Sequence, residues 1–395
     1  MPVPTIDDLS DSLEGKRVFL RADLNVPLQD GRVTDATRIE ETIPTLRRLL
    51  ERGAAVVVAS HLGRPGGVSD PALSLRPVAD ALARALGAPV RFAETDEEAR
   101  APLAAGEVVV RENLRFDPRE EADDPAFGEA LVEGADVYVN DAFGAAHRSH
   151  ASVHAAALAA RRSGRPVVAG DLMARELRYL AAALDDPDRP FLAILGGAKI
   201  SGKIEVIEHL LERADGLLIG GAMANTFFRA LGLETGRSLV EEDRVDTAAK
   251  LLRAAGPRLT LPVDCVVLRE GADEPARLSR DQVPADGSIL DIGSRSVGIF
   301  ARAVAASRTV IWNGPMGRFE RPPYDAGTNG LARAAAEAVE RGSTVIVGGG
   351  DTAAALAAAG LDDRMTHVST GGGASLEFLE GKPLPGVAAL ETEVA

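Results

Sequence analysis

Short runs of β-branched and apolar residues alternate along the chain with longer Ala-, Leu-, Arg- and Glu-rich stretches of helical period. The pattern predicts repeated strand-helix units around parallel sheets. In the first half the strand runs are RVFLRADLN, AAVVVASHLG, EVVVRENLRF and ADVYVNDAFG, with helical stretches such as ATRIEETIPTLRRLLERG between them. In the second half they are PFLAILGGA, GLLIGGAMAN, PVDCVVLRE, TVIWNGPMG, STVIVGGGDT and THVSTGGGAS. Between the halves lies VVAGDLMARELRYLAAALDDPDRP, which opens on a Gly-Asp helix start, reads as helical to about Leu184 and ends in an Asp/Pro-rich break. The expected architecture is α/β: two Rossmann-like parallel-sheet lobes joined by a helical hinge, with the active site in the cleft between them. The expected divisions are 1–169 for the first lobe, 170–185 for the hinge and 186–372 for the second lobe.

Ligands of open parallel sheets bind at the carboxyl ends of the strands, and the two halves differ there. Five strands of the second half run into glycine turns: Gly196-Gly197, Gly220-Gly221, Gly314 with Gly317, Gly348 to Gly350, and Gly371 to Gly373. Without a Cβ, backbone N–H groups approach an anion closely, and the following helix N-terminus adds positive charge. One such turn equally serves packing; five converging turns suit a nucleotide with several phosphates. Neither GGGDTAAALAAAG nor GGGASLEFLEG has the G-x-G-x-x-G spacing of a dinucleotide site. Asp351 sits in the GGGDT turn, beside the phosphates that Gly348, Gly349, Gly350 and Thr352 would hold. A carboxylate there repels an anion unless a divalent cation intervenes, so Asp351 points to Mg2+, with an N-cap as the plainer alternative.

The first half places basic residues at its strand ends instead: Arg21 with Asp23 and Asn25, His61 with Arg64, Arg111 with Arg115, and His147, Arg148 and His150, while Arg38 opens the first helix. Singly these are solvated surface residues; together they make a positive basin for a small, multiply charged anion. Three histidines in HRSHASVH lack a Cys or Glu to complete a metal set and read as ligand contacts or packing.

Composition narrows the function classes. The chain has 395 residues, enough for about two domains, and a formal net charge of −15, which argues against nucleic-acid and anionic-membrane partners. The single cysteine, Cys265, excludes an intrachain disulfide and a cysteine metal cage. The start, MPVPTIDDLSD, does not read as a signal peptide, and no apolar run suits a membrane span, so a cytoplasmic location is expected. Only five residues are lysine against 44 Lys plus Arg, and two of the five, Lys199 and Lys203, share GGAKISGKIEV. That segment has the P-loop spacing from Gly197 to Lys203, but Ile204 stands where a P-loop needs a hydroxyl. The i, i+4 lysines are expected on one face of a helix, aimed at phosphates.

These motifs, RADLNVPL, SHLGRP, ENLRF, NDAFGAAHRSHAS, GGAKISGKIEVI, GGAMANTF, WNGPMGRFE, VGGGDTAAAL and STGGGASLEFLEGKPLPGVAAL, resemble the motif series of the phosphoglycerate kinase family, in order and spacing and over essentially the whole chain. The wording is similar to bacterial members. The resemblance implies a monomeric glycolytic enzyme that interconverts 3-phosphoglycerate plus Mg-ATP with 1,3-bisphosphoglycerate plus Mg-ADP by in-line transfer with domain closure. It also implies that the segment from about 373 to 395 packs back on the first lobe. Position by position it assigns Asp23, Leu24, Asn25, Arg38, His61, Leu62, Gly63, Arg64, Arg115 and Arg148 to 3-phosphoglycerate. It assigns Gly197, Ala198, Lys199, Lys203, Asn313, Glu320, Gly348, Gly349, Gly350, Asp351 and Thr352 to the nucleotide, with Asp351 on the metal. Arg38, Lys199, Lys203, Gly371 and Gly372 are the expected catalytic residues. The departures are Ala22, Asp171, Ser294 and Arg318, and Arg318 with the GSILDIG stretch bears on the adenine pocket. A P-loop NTPase and a non-catalytic nucleotide-binding protein on the same fold are the rival readings; Ile204 counts against the first and the intact arginine basin against the second.

Overall fold

The computed structural model describes residues 3–391; the first two and last four residues of the expected first lobe lie outside them. The chain divides into two compact units, residues 1–178 with 383–395 and residues 179–382.

The first unit is built on six parallel strands: β1 (Arg17–Ala22), β2 (Ala55–Ala59), β3 (Val90–Ala93), β4 (Val108–Arg111), β5 (Val137–Asp141) and β6 (Val167–Ala169). Their spatial order is β3-β4-β2-β1-β5-β6, so consecutive crossovers leave β1 in opposite directions. The valine-rich runs are buried on both faces, as parallel strands covered by helices must be. One face packs Val18, Leu20, Val56, Val58, Val110 and Val139 against Ile39, Ile43, Leu46 and Leu49 of α1 (Thr37–Glu51). β3 and β6, of four and three residues, lie outside the strand runs expected from the sequence.

α2 (Asp171–Asp185) follows β6, and the division between the units falls inside it, at Arg178. Its first turn is tied to the first unit. Met173 N donates to Asp141 Oδ1 at 3.1 Å, Asp171 N donates to Thr45 Oγ1 at 2.9 Å, and the Asp171 carboxylate pairs with Arg48 at 2.6 Å. The acidic residue at 171 is thus matched by an arginine on α1.

The second unit has a parallel sheet of six strands and a smaller antiparallel one. In chain order the strands are β7 (Phe191–Leu195), β8 (Gly216–Ile219), β9 (Leu259–Thr260), β10 (Asp264–Arg269), β11 (Ala276–Ser279), β12 (Gly287–Ile292), β13 (Thr309–Asn313), β14 (Thr344–Gly348) and β15 (His367–Val368). The parallel order is β9-β8-β7-β13-β14-β15. PVDCVVLRE does form a strand, β10, but as the centre of the antiparallel sheet β11-β10-β12 and not as a member of the parallel one. A continuous apolar run fits either setting.

The helices that matter for the site are α3 (Ile204–Arg213), α4 (Ser294–Ala305), α5 (Ala326–Glu340), α6 (Gly350–Ala358) and α7 (Gly372–Leu379). α7 belongs to the second unit, and the return to the first falls at Pro383 instead of about 373. There Gly386 N donates to Ala146 O at 2.8 Å, and a Cβ on Gly386 would lie 2.9 Å from Ala146 Cα, so only glycine permits this approach.

Candidate active site

In the first unit the carboxyl ends of β1, β2 and β5 flank the point where strand order reverses, where open α/β sheets bind ligands. Asp23 follows β1 and is buried; its Oδ2 accepts from Arg38 Nη1 at 2.5 Å. Burial pushes the Asp23 carboxyl up, but surrounding positive charge, Arg38 foremost, holds it below the usual carboxylate range. The neighbouring loops are locked by their own side chains. Leu24 N donates to Ser60 Oγ at 2.8 Å, Gly63 N to Asn25 Oδ1 at 2.9 Å, and Leu62 N to Asn113 Oδ1 at 3.1 Å. Gly63 has φ +62°, a conformation that favours glycine. Arg115 is buried, donates to Gly63 O at 2.7 Å and pairs with Glu121 at 3.2 Å, while Arg21 and Arg148 add positive charge around it. Arg64 and Arg148 are exposed and form no ion pair among the described residues.

His61 and His150 are buried beside these arginines, and burial drives both below the ordinary imidazole value, His150 to about 4. Neutral histidines beside Arg64 and Arg148, which no carboxylate pairs with among the described residues, suit a focused anion site. One strand-end arginine does not belong. Arg111, the last residue of β4, is buried and pairs at 2.5 Å with Asp96, in the segment that follows β3. Arg115, in the short turn after the strand, turns the other way.

In the second unit the equivalent reversal lies between β7, β8 and β13. Gly197 has φ +100°, and a Cβ on Gly196 would lie 2.2 Å from Pro315 O, so the turns after β7 and β13 pack backbone on backbone. Lys203 does not share a helix face with Lys199. α3 starts at Ile204, with Lys203 as its N-cap, and residues 201–203 form the turn that precedes it. Ahead of the helix the Glu241 carboxylate accepts from Ile200 N at 2.5 Å and Ser201 N at 3.0 Å. Lys199 is left exposed.

Lys203 Nζ donates to the Asn313 carbonyl at 2.9 Å and to Asn313 Oδ1. Burial pulls its ammonium down to about 8, with Asp351 opposing. Lysine only donates, so the Asn313 amide must turn its oxygen to Lys203. That leaves Asn313 Nδ2 buried with no hydrogen-bond partner among the described residues, 3.2 Å from where a Gly348 Cβ would stand. A Gly372 Cβ would lie 3.2 Å from Gly350 N, so the N-termini of α6 and α7 abut. Gly348, Gly349, Gly350, Gly371 and Gly372 thus form one patch of backbone donors beside Lys203 and the orphaned amide. Thr352 is buried and accepts from Gly314 N at 2.7 Å, bracing this patch from behind.

A cavity of about 460 Å³ opens beside this patch. Its walls include Gly197, Ala198, Asn225, Leu290, Glu320 and Asp351. Its floor holds a carboxylate that the sequence did not mark. Asp291, at the end of β12, is buried; its Oδ2 accepts from Gly327 N at 2.7 Å and its Oδ1 from Ile292 N at 2.8 Å. A Cβ at Gly317 or Gly327 would stand 2.2 Å from Oδ1, so the segment carrying Arg318, Phe319 and Glu320 closes on Asp291 at both ends. Burial raises this carboxyl to about 7. The folded state therefore keeps a proton that the unfolded chain has released, and stability falls, by a few kcal/mol, as pH rises from about 4 to about 7. Asp291→Asn removes that dependence. Thermal unfolding is expected to show the variant gaining on the wild type between about pH 5 and about pH 7; a pH-independent difference would contradict the assignment.

Asp351, on the first turn of α6, is exposed, and no ion pair or hydrogen bond engages it among the described residues. No cluster of three or more His, Cys, Asp or Glu is gathered among the described residues. A lone free carboxylate beside phosphate donors fits a cation that arrives with the nucleotide, as Mg2+ does.

An anion basin on one α/β unit and a polyphosphate cradle with a base-sized cavity on the other define a nucleotide-dependent phosphotransferase. Residues 6–382 match the family model described as phosphoglycerate kinase. The chain is 51% identical over 390 residues to the phosphoglycerate kinase of Chloroflexus aurantiacus, covering 95% of this chain and 96% of that one. It is 50% identical over 390 residues to the cytosolic phosphoglycerate kinase of Triticum aestivum, covering 96% of each. Among solved structures, phosphoglycerate kinase from Coxiella burnetii superposes with a TM-score of 0.89 at 38% identity, covering 98% and 99% of the two chains. That from Pyrococcus horikoshii gives 0.84 at 33%, covering 98% of each. The chain belongs to the phosphoglycerate kinase family, and the protein is an ATP-dependent phosphotransferase acting on 3-phosphoglycerate.

Proposed function

We propose that the first unit's basin holds 3-phosphoglycerate through Asp23, Leu24, Asn25, Arg38, His61, Leu62, Gly63, Arg64, Arg115 and Arg148. The second unit holds ATP or ADP through Gly197, Ala198, Lys199, Lys203, Asn313, Glu320 and the Gly348 to Thr352 turn. The observation that carries the reading is the orphaned Asn313 Nδ2, held by Lys203 over two abutting helix N-termini. An unpaired buried donor costs about 1–3 kcal/mol, and a phosphate oxygen relieves it.

The acceptor carboxylate is ionised at neutral pH, so no general base is needed. One of its oxygens attacks the terminal phosphorus of ATP, the bond from that phosphorus to the bridging oxygen breaks, and an acyl phosphate and ADP result. The residues supply screening and alignment. Arg38 offsets the charge of the acceptor, Lys203 and Lys199 stabilise the moving phosphoryl group, and N–H groups at Gly371 and Gly372 receive its oxygens. Asp351 would hold Mg2+, which neutralises phosphate charge when bound. A cytoplasmic monomer without nucleic-acid partners fits the net charge of −15 and the absence, among the described residues, of a helix long and apolar enough to cross a membrane.

Asp351→Asn tests the metal role apart from the acceptor site. The KM for Mg-ATP is expected to rise at least about tenfold while the affinity for 3-phosphoglycerate, measured by calorimetry, stays within about twofold. Unchanged nucleotide kinetics would remove Asp351 from the site.

A further inference from the structure

Behind the 3-phosphoglycerate basin lies a buried chain of polar side chains that direct substrate contact does not explain. Arg21, near the end of β1, is only 1% exposed, and no carboxylate pairs with it directly among the described residues. Its Nε donates to Ser152 Oγ at 2.7 Å, and Ser152 Oγ donates to Glu120 Oε1 at 2.6 Å. Glu120 is fully buried, and its other oxygen accepts from Ser152 N at 2.9 Å. Ser152 is fixed a third time, since its carbonyl accepts from the Tyr138 hydroxyl at 2.8 Å. The Tyr138 ring stacks on Phe19, with centroids 5.8 Å apart. One Arg21 Nη donates to the Ala22 carbonyl. The other, Nη2, lies 3.2 Å from His61 Nδ1.

A guanidinium has donors and no acceptor, so at that contact His61 Nδ1 must offer its lone pair. We propose that Arg21, braced by Ser152 and Glu120, is a positioning residue that holds His61 as the neutral tautomer with its proton on Nε2. In this state His61 gives the acidic substrate a fixed, uncharged hydrogen-bond donor. The inference rests on the reading of the basin as the 3-phosphoglycerate site.

The surroundings of His61 favour this form. Burial disfavours the imidazolium, and Arg21, Arg115 and Arg38 add to that; Asp23 alone opposes them, and its carboxylate is already engaged by Arg38. A histidine without the Arg21 contact would be free to populate the other tautomer and to charge more readily, and the Nδ1–H tautomer would present a lone pair to an anion. The chain is also complete: Arg21 Nε, Ser152 Oγ and both Glu120 oxygens have partners, as a buried polar network needs if it is to fix one geometry.

Ring-nitrogen-resolved NMR of the isotope-labelled enzyme without substrate reads the tautomer directly, with His61 identified against His61→Gln. His61 is expected to keep an unprotonated Nδ1 and a protonated Nε2 from about pH 6 to about pH 8. In Ser152→Ala and Arg21→Lys the two nitrogens should average toward a tautomer mixture. The KM for 3-phosphoglycerate should rise about tenfold in these variants, with kcat within about threefold of the wild type. A proton on Nδ1, or on both nitrogens, in the wild type near neutral pH overturns the inference even if neither variant folds. Variants that fold, lower activity and leave the tautomer intact also overturn it. If the wild-type tautomer is as stated and 3-phosphoglycerate does not move the His61 resonances, the inference stands and the substrate reading of the basin falls.

Discussion

Replacing Arg38 by alanine is expected to lower kcat at least ~100-fold with the fold intact. The acceptor carboxylate and the terminal phosphate of ATP repel, and Arg38 is the cation assigned to the acceptor. Removing one donor aimed at developing charge costs about 3–4 kcal/mol of transition-state stabilisation. A second consequence follows from burial. Asp23 loses the guanidinium 2.5 Å away that does most to keep it ionised, so its proton affinity rises and the loop after β1 loosens its hold on substrate. Arg38→Lys should recover only part of the loss, since a single ammonium cannot serve Asp23 and the substrate with one planar fork. α1 keeps Ile39, Ile43, Leu46 and Leu49 in the core, so the variant should melt within a few degrees of the wild type. A variant with turnover within about tenfold of the wild type would remove Arg38 from the catalytic step.

Lys203→Ala is the second large effect, again at least ~100-fold in kcat. The change removes the charge on the moving phosphoryl group and also frees Asn313, whose amide is oriented by the lysine. Arginine should not rescue, because the site between Asn313 and Gly314 accommodates a compact ammonium; a Cβ on Gly314 would lie 3.0 Å from Nζ. The pH profile adds a signature. Burial lowers the Lys203 ammonium to about 8, so in the free enzyme the required cation is lost as pH rises through that value. kcat/KM for ATP is therefore expected to fall above about pH 8, while bound phosphates retain the proton and shift the fall in kcat to higher pH. Near-normal turnover, or a kcat/KM that is flat to about pH 9.5, contradicts the role.

Much of this site was readable from local pattern. Runs such as VVV before a polar or glycine turn mark buried parallel strands, and the residue types at their ends separate a basin of arginines from a set of phosphate turns. What pattern could not give was direction and distance. Arg111 and Arg115 look alike in sequence, but one lies in a strand and pairs with Asp96, while the other follows a turn and enters the basin. Lys199 and Lys203 have helical spacing, yet the helix begins only at Ile204, and the N–H groups ahead of it are held by Glu241, 40 residues on from Ser201. The brace behind His61 joins Arg21 to Ser152 across 131 positions, and no local window contains it. Asp291 was hidden differently. Its role shows only in Gly317 and Gly327, which are glycines because its carboxylate occupies the space a Cβ would take.

The central claim is that this chain moves a phosphoryl group from ATP to a carboxylate oxygen and nowhere else. A coupled assay of the purified protein with Mg-ATP, run with and without 3-phosphoglycerate, tests it most directly. Nucleotide consumption should depend on 3-phosphoglycerate, with one acyl phosphate formed for each ADP. ATP hydrolysis that proceeds equally without 3-phosphoglycerate, or no turnover with both substrates present, would contradict the account.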